Sequence, residues 1–176
     1  MKYSVLLYIA VLFFFLMGTA SSCKKDDHYS HIPNISFNSL IKLKSKDQPA
    51  SKAILSFSYI DGDGDIGLRQ EDTLSPYHKT GDYYYNLIID LEELQDNVWT
   101  KKYLINPSTL DTTYLHSRIP LLKDMDFKSY TKGEISDTLF IKDPFSEFDT
   151  IRFKFHIIDR TLNKSNIITT PNIIRD

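Results

Sequence analysis

Thr150-Ile151-Arg152-Phe153-Lys154-Phe155-His156-Ile157-Ile158-Asp159 alternates apolar and polar side chains along almost its whole length. Successive side chains of an extended chain point to opposite faces, so Ile151, Phe153, Phe155 and Ile157 share one face and Arg152, Lys154 and His156 the other. That is the signature of a strand with one face in a core and one in water. The same period recurs at 53–60 (AILSFSYI), where Ala53, Leu55, Phe57 and Tyr59 form the apolar face and Ser56 and Ser58 lie opposite. Further strand-like runs, rich in Ile, Phe, Tyr and Thr, occupy 35–43, 82–91, 98–105, 114–121, 135–141 and 164–174. Runs of this kind separated by turn residues predict an all-β chain folded as two packed antiparallel sheets, with about 7 to 9 strands. Pro171 cannot donate to a ladder, which places the last run at an edge or breaks it there. Only 90–97 (DLEELQDN) has the composition of a short helix, about two turns long. The segment 107–113 (PSTLDTT) and Asp143-Pro144 read as loops.

The chain has 176 residues, 41% hydrophobic and 25% charged, which suits one domain. Met1 and Lys2 precede an apolar run of 13 residues at 5–17, followed by the small residues Gly18, Thr19, Ala20, Ser21 and Ser22. A membrane-spanning helix needs about 20 apolar residues, so this run predicts a cleaved export signal over 1–22. Without Lys2 the balance is 20 basic residues against 23 acidic ones, which offers no electrostatic basis for binding nucleic acid. Cys23 is the one cysteine, so no internal disulfide can form. Ala20-Ser21-Ser22-Cys23 resembles the lipobox of bacterial lipoproteins, which implies acylation of Cys23 and a mature chain that starts there. Several acyl chains would hold such a protein at a membrane, since each buried methylene contributes about 0.8 kcal/mol. Lys24-Lys25-Asp26-Asp27 resembles the signal that marks surface-exported lipoproteins in Bacteroidota. The expected organisation is a signal peptide at 1–22, a lipidated tether at 23–34 that includes His28 and His31, and a β-sandwich at 35–176.

Most of the chemistry lies in Asp61-Gly62-Asp63-Gly64-Asp65-Ile66-Gly67, directly after the 53–60 run. Carboxylates at alternate positions with glycines between them allow the backbone to curl until the oxygens converge, as Ca2+ requires. Asp72 lies eleven residues after Asp61, near the closing position of an EF-hand loop. An EF-hand itself is excluded, because Ile66 stands where that loop needs glycine and a strand precedes it. The expectation is a Ca2+ loop on a sheet, with Asp61, Asp63, Asp65 and Asp72 as ligands, set against a solvated acidic turn.

Asp159-Arg160-Thr161-Leu162-Asn163-Lys164-Ser165-Asn166 resembles the final hairpin of bacterial immunoglobulin-like domains, with Leu162 in the usual glycine place and Asn163 available for a left-handed backbone. Together with the lipobox and the DGDGDIG loop, this hairpin is similar to a group of Bacteroidota envelope lipoproteins with one immunoglobulin-like domain. The resemblance covers 20–27, 53–68 and 150–176 and implies no particular activity. It implies an immunoglobulin-like strand order, in which the DGDGD loop and Asp159 project from the same end. Asp159 then adds a ligand or a supporting contact to the cation site.

No GxSxG, Walker, HExxH or CxxC motif is present. Carboxylate pairs such as Asp124 with Asp126 or Glu92 with Glu93 could serve a hydrolase only if they faced one cleft about 5 to 10 Å apart. The expected function is therefore non-catalytic: a membrane-anchored, surface-exposed binding or adhesion module, stabilised by Ca2+, with an unspecified protein or glycan partner. The alternative is a glycan-binding accessory lipoprotein of an outer-membrane uptake system, which would need two exposed coplanar rings among Tyr83, Tyr84, Tyr85 and Trp99.

Overall fold

A computed structural model describes residues 29–45, 48–121 and 130–175. The expected export signal at 1–22, Cys23, Lys24 to Asp27, His28, Asp124 and Asp126 lie outside the described residues. Among the described residues, ten strands run in chain order: β1 (Asn34–Ser45), β2 (Gln48–Asp61), β3 (Leu87–Gln95), β4 (Val98–Lys102), β5 (Leu104–Ile105), β6 (Thr112–Thr113), β7 (Thr131–Phe140), β8 (Thr150–Ile157), β9 (Ile168–Thr169) and β10 (Ile173–Ile174). One sheet has the order β1-β2-β7; the other has β10-β8-β3-β4, with β9 also paired to β8. Every pair of these strands is antiparallel, and β5 and β6 form a small separate ladder. No helix among the described residues is long and apolar enough to cross a membrane.

The alternation that marks β8 accounts for how the sheets meet. Ile151, Phe153, Phe155 and Ile157 are fully buried, and so are Ala53, Leu55 and Phe57 of β2. Phe57 and Phe155 touch across the interior with ring centroids 5.1 Å apart. Ile35, Leu139 and the β3 residues Leu87, Ile89 and Leu91 complete the core between the two sheets. Burying a side chain of this size is favourable by roughly 1.5 to 3 kcal/mol, so these positions supply most of the drive to form a β-sandwich.

Several boundaries differ from the sequence expectation. The run at 82–91 begins as a strand only at Leu87, because residues before it form a loop over one end of the sandwich. The segment 90–97 is not helical: β3 continues to Gln95 and pairs with β4 from Leu91↔Lys102 to Gln95↔Val98. Asp96 and Asn97 both have positive φ, 48° and 65°, and make a two-residue turn of the kind that follows the twist of a hairpin. Cross-strand pairing therefore overrides the local helical composition. The 98–105 run is split at Tyr103 between β4 and β5, and 112–113, read as loop, pairs as β6.

The run at 114–121 is not a strand. It touches its neighbours through single bridges, Leu87↔Ser117 and Leu68↔Pro120, while Ile119 drops into the core. The last run breaks around Pro171 into β9 and β10. At the N-terminal side, residues assigned to the tether belong to the folded unit: Pro33 is buried, β1 starts at Asn34, and the Ser30 carbonyl accepts a hydrogen bond from Gly62 N–H at 2.8 Å.

Candidate metal centre

β2 ends at Asp61 because glycines at 62 and 64, on either side of Asp63, let the chain leave the sheet. A Cβ on Gly62 would collide with the backbone carbonyl of Tyr29, and Gly64 takes a φ of +71° that side chains disfavour. The loop closes on itself where Asp65 N–H donates to Asp61 Oδ2 at 2.9 Å. Beyond it, Ile66 is fully buried in the core and Leu68 bridges to Pro120, which anchors the far side of the loop. The burial of Ile66 explains why the EF-hand pattern fails at its sixth position.

This curl brings one carboxylate oxygen from each of Asp61, Asp63 and Asp65 within 4.8 Å of one another. Asp61 is fully buried, Asp65 is 6% exposed, and Asp63 is half-buried. The Oδ1 atoms of all three are hidden from solvent and have no hydrogen-bond partner among the described residues. The second oxygens are differently placed: Asp61 Oδ2 accepts from Asp65 N–H, and Asp65 Oδ2 accepts from Thr161 N–H at 3.1 Å. Buried polar atoms are almost always paired, and an unpaired one costs about 1 to 3 kcal/mol, more when charged. Three clustered carboxylates, each with a buried oxygen left unpaired, can hold a metal ion.

The electrostatics agree with the geometry. Burial, followed by the charges of Asp63 and Asp65, pushes the Asp61 carboxyl up to about 7. Burial, followed by the charges of Asp159 and Asp63, pushes Asp65 up to about 6. Such shifts record a site that resists holding its full negative charge.

The two loops expected at one end of the sandwich meet there. Arg160 N–H donates to the Asp65 carbonyl at 3.3 Å, beside the Thr161 bond to the Asp65 carboxylate. Asp159 is buried next to the triad and adds to its negative field, but its own oxygens are engaged in the turn. Oδ1 accepts from Asn163 N–H at 2.8 Å and Thr161 Oγ1 at 3.1 Å, and Oδ2 accepts from Asn163 Nδ2 at 2.9 Å. It therefore supports the site rather than adding a free oxygen. The left-handed residue of that turn is Leu162, with φ 70°, and not Asn163, whose side chain is tied back to Asp159.

Asp72, expected as a closing ligand, is not brought into the cluster. It pairs with the Arg160 guanidinium and accepts a hydrogen bond from Arg69 N–H at 2.7 Å. The Arg160 contact holds its carboxyl below the ordinary carboxylate range. Arg160 also carries Tyr77 against the turn, since the Tyr77 hydroxyl donates to the Arg160 carbonyl. Thr161, Arg160 and Asn163 were visible only as part of a hairpin resemblance, and their contacts with the DGDGD loop had no signal in the sequence. His31 stands with Nδ1 3.8 Å from Asp63 Oδ2.

The remaining candidates separate. Glu92 and Glu93 are neighbours on β3 and point to opposite faces: Glu92 pairs with Arg152 and Lys154, at 2.6 and 2.7 Å, and Glu93 is buried against Arg175. Tyr84 and Tyr85 meet edge to face at 78°, Arg118 lies over Tyr84, and Arg152 lies 4.1 Å from the centroid of Trp99. Tyr84 and Tyr85 therefore do not lie in one plane.

Comparison of the chain with protein-family models, curated proteins and solved structures finds no match. Fold and site define a class: an antiparallel β-sandwich with a carboxylate triad at one end that can hold a metal ion.

Proposed function

We propose that this protein is a lipid-anchored, surface-displayed binding or adhesion module with an immunoglobulin-like fold, whose loop end is stabilised by Ca2+. The observation that carries the cation is that Asp61, Asp63 and Asp65 bring one carboxylate oxygen each within 4.8 Å of one another while each has a buried Oδ1 with no hydrogen-bond partner among the described residues. Hard oxygen ligands on a loop with some freedom suit Ca2+ better than Mg2+, which demands a tighter octahedron and sheds water reluctantly. The strand order supports the immunoglobulin-like reading. With β5 and β6 set aside, β1-β2-β7 opposite β4-β3-β8-β10 corresponds to strands A, B and E facing C′, C, F and G. Phe57 and Phe155 then join B to F, the strands that a disulfide links in antibody domains.

The anchor rests on the leader and Cys23, and display on a membrane suits a module whose buried cation site serves stability. The test is to melt the full chain in EDTA and in 10 mM Ca2+. Extracellular Ca2+ modules dissociate at about 0.1 to 1 mM, so the ion should stabilise by roughly 1.5 to 3 kcal/mol, with Mg2+ doing less. Equal melting temperatures in EDTA and Ca2+ would sink the cation. Mass spectrometry of membrane-extracted protein tests the anchor separately, and an unmodified Cys23 would sink it.

A further inference from the structure

We infer that the free edge of β7 is a self-association site, at which a second copy of this chain adds its own β7 antiparallel and joins the two sheets into one. The inference deepens the adhesion reading above by naming its partner, and it rests on that reading only for the membranes the pair would connect.

Among the described residues, β7 ends its sheet and pairs with β2 alone. That ladder runs without a register shift from Thr131↔Asp61 to Phe140↔Lys52. Just beyond it the Ile141 N–H donates to the Ser51 carbonyl at 3.0 Å, whereas the Thr138 N–H turns to the Asp137 carboxylate. Peptide groups alternate in direction along an antiparallel pair, so those of Lys132, Glu134 and Ser136 point away from β2, and all three residues are exposed. A groove of about 400 Å³ lies beside 134–137, between β7 and the segment 117–120, and leaves room there for a further strand.

The other edges are protected or short. Across the same sheet, β1 breaks register twice, between Phe37 and Ser39 and between Leu43 and Ser45. The Asn166 side chain also bonds both the N–H and the carbonyl of Ile35. In the second sheet β4 offers five residues and β10 two. β7 has ten residues with neither bulge nor proline, and such a row of outward peptide groups is a template for another strand.

Charge selects the occupant and the register. Lys132 and Glu134 are two residues apart, so their side chains share one face of the sheet, and neither has an ion-pair partner among the described residues. The charges nearby are engaged: Asp137 accepts from the Ser117 hydroxyl, and the Arg118 guanidinium donates to the carbonyls of Tyr84, Arg69 and Asp72. Two antiparallel copies of β7 related by a two-fold axis at Gly133 set Lys132 of each against Glu134 of the other. An axis at 132 or 134 opposes like charges, and one at 135 leaves both residues facing uncharged side chains. β7 starts beside Asp61, at the end where β1 also begins, so antiparallel pairing turns the two N-terminal ends in opposite directions. Chains anchored through those ends would join apposed membranes.

The test is sedimentation velocity of the full chain in a neutral detergent, with micelles in excess, at low ionic strength and up to about 0.5 mM protein. A dimer is expected for wild type. Lys132→Glu and Glu134→Lys each place like charges in both pairs and should weaken association at least tenfold, whereas an equal mixture of the two variants should recover it. Circular dichroism and melting of each variant check that it is folded. A monomer throughout overturns the proposal, as does a dimer indifferent to both substitutions or a mixture of folded variants that fails to recover. Phosphatidylcholine vesicles carrying the wild-type chain, in EDTA, should cluster. A dimer in detergent without such clustering would support the pairing and overturn the adhesion reading alone.

Discussion

Asp63 is the member of the triad with the fewest structural duties. Asp61 and Asp65 each use one oxygen to hold backbone N–H groups, at Asp65 and Thr161, whereas among the described residues Asp63 has only His31 within salt-bridge range. Its charge nevertheless raises both neighbours. Asp63→Asn should therefore have opposite effects in two buffers. In EDTA it removes repulsion and should raise stability by about 1 kcal/mol, the scale of one close charge pair at high effective dielectric. In 10 mM Ca2+ it removes a ligand and should cancel most of the gain that the wild type shows. Melting curves of both proteins in both buffers check this, and a variant less stable than wild type in EDTA would argue against a repulsive empty triad. The glycines beside it were legible as bends, but Gly67 has a second duty that spacing does not reveal. At φ +102° it packs where any Cβ would strike the Pro120 backbone.

Among the elements, the hairpin from β3 to β4 shows how local composition yields to pairing. Asp96 and Asn97 adopt left-handed angles that glycine accepts more readily than aspartate or asparagine. Replacing Asp96-Asn97 with Asn-Gly should stabilise the domain by about 0.5 to 1 kcal/mol, measured by urea unfolding, because both central residues then match the turn. On β8, His156 lies on the polar face yet is half-buried, and burial followed by the charge of Lys164 holds its imidazole below the ordinary range, with Asp90 opposing and His116 adding a little. A histidine whose pKa is lowered by folding contributes stability that is fully present above about 6.5 and is lost as pH falls below that value. Between pH 7.5 and 5.5, wild type should thus lose more stability than His156→Gln. Paired urea titrations at the two pH values read the difference, and equal losses would show that His156 titrates alike in the folded and unfolded chain.

Across the whole molecule the two ends of the sandwich are closed by different chemistry. One end gathers unpaired carboxylates and loops. At the other, Arg175, just past β10, donates to Glu93 of β3 and to the carbonyls of Phe148 and Ile141. Burial pushes Glu93 up, but hydrogen bonds from Gln95, Ser146 and Arg175 outweigh it and hold the carboxyl below its usual range. Arg175→Met would leave that charge buried without its cation, at a cost of about 3 to 5 kcal/mol. Glu93→Leu combined with Arg175→Met should recover most of the loss, since no uncompensated charge remains. Chemical denaturation of the single and double variants checks the pair, and a single variant within about 1 kcal/mol of wild type would show that the clamp is dispensable.

The period-two stretches at 53–60 and 150–159 determined by themselves that the chain is all-β and which faces are buried, because alternation is a property of the extended backbone and needs no partner. The same is true of the acidic loop: alternate aspartates between glycines curl through local torsions, and Asp61, Asp63 and Asp65 converge as the spacing implied. Asp72 and Arg160 show where local reading stops. Eighty-eight residues apart, they meet only because two loops leave the same end of the sandwich, and their ion pair keeps Asp72 out of the carboxylate cluster. The same holds for 90–97, whose helical composition was overruled by a partner strand. Contacts of that kind depend on strand order and on which charges compete for one another, and both are decided only when the sheets pack.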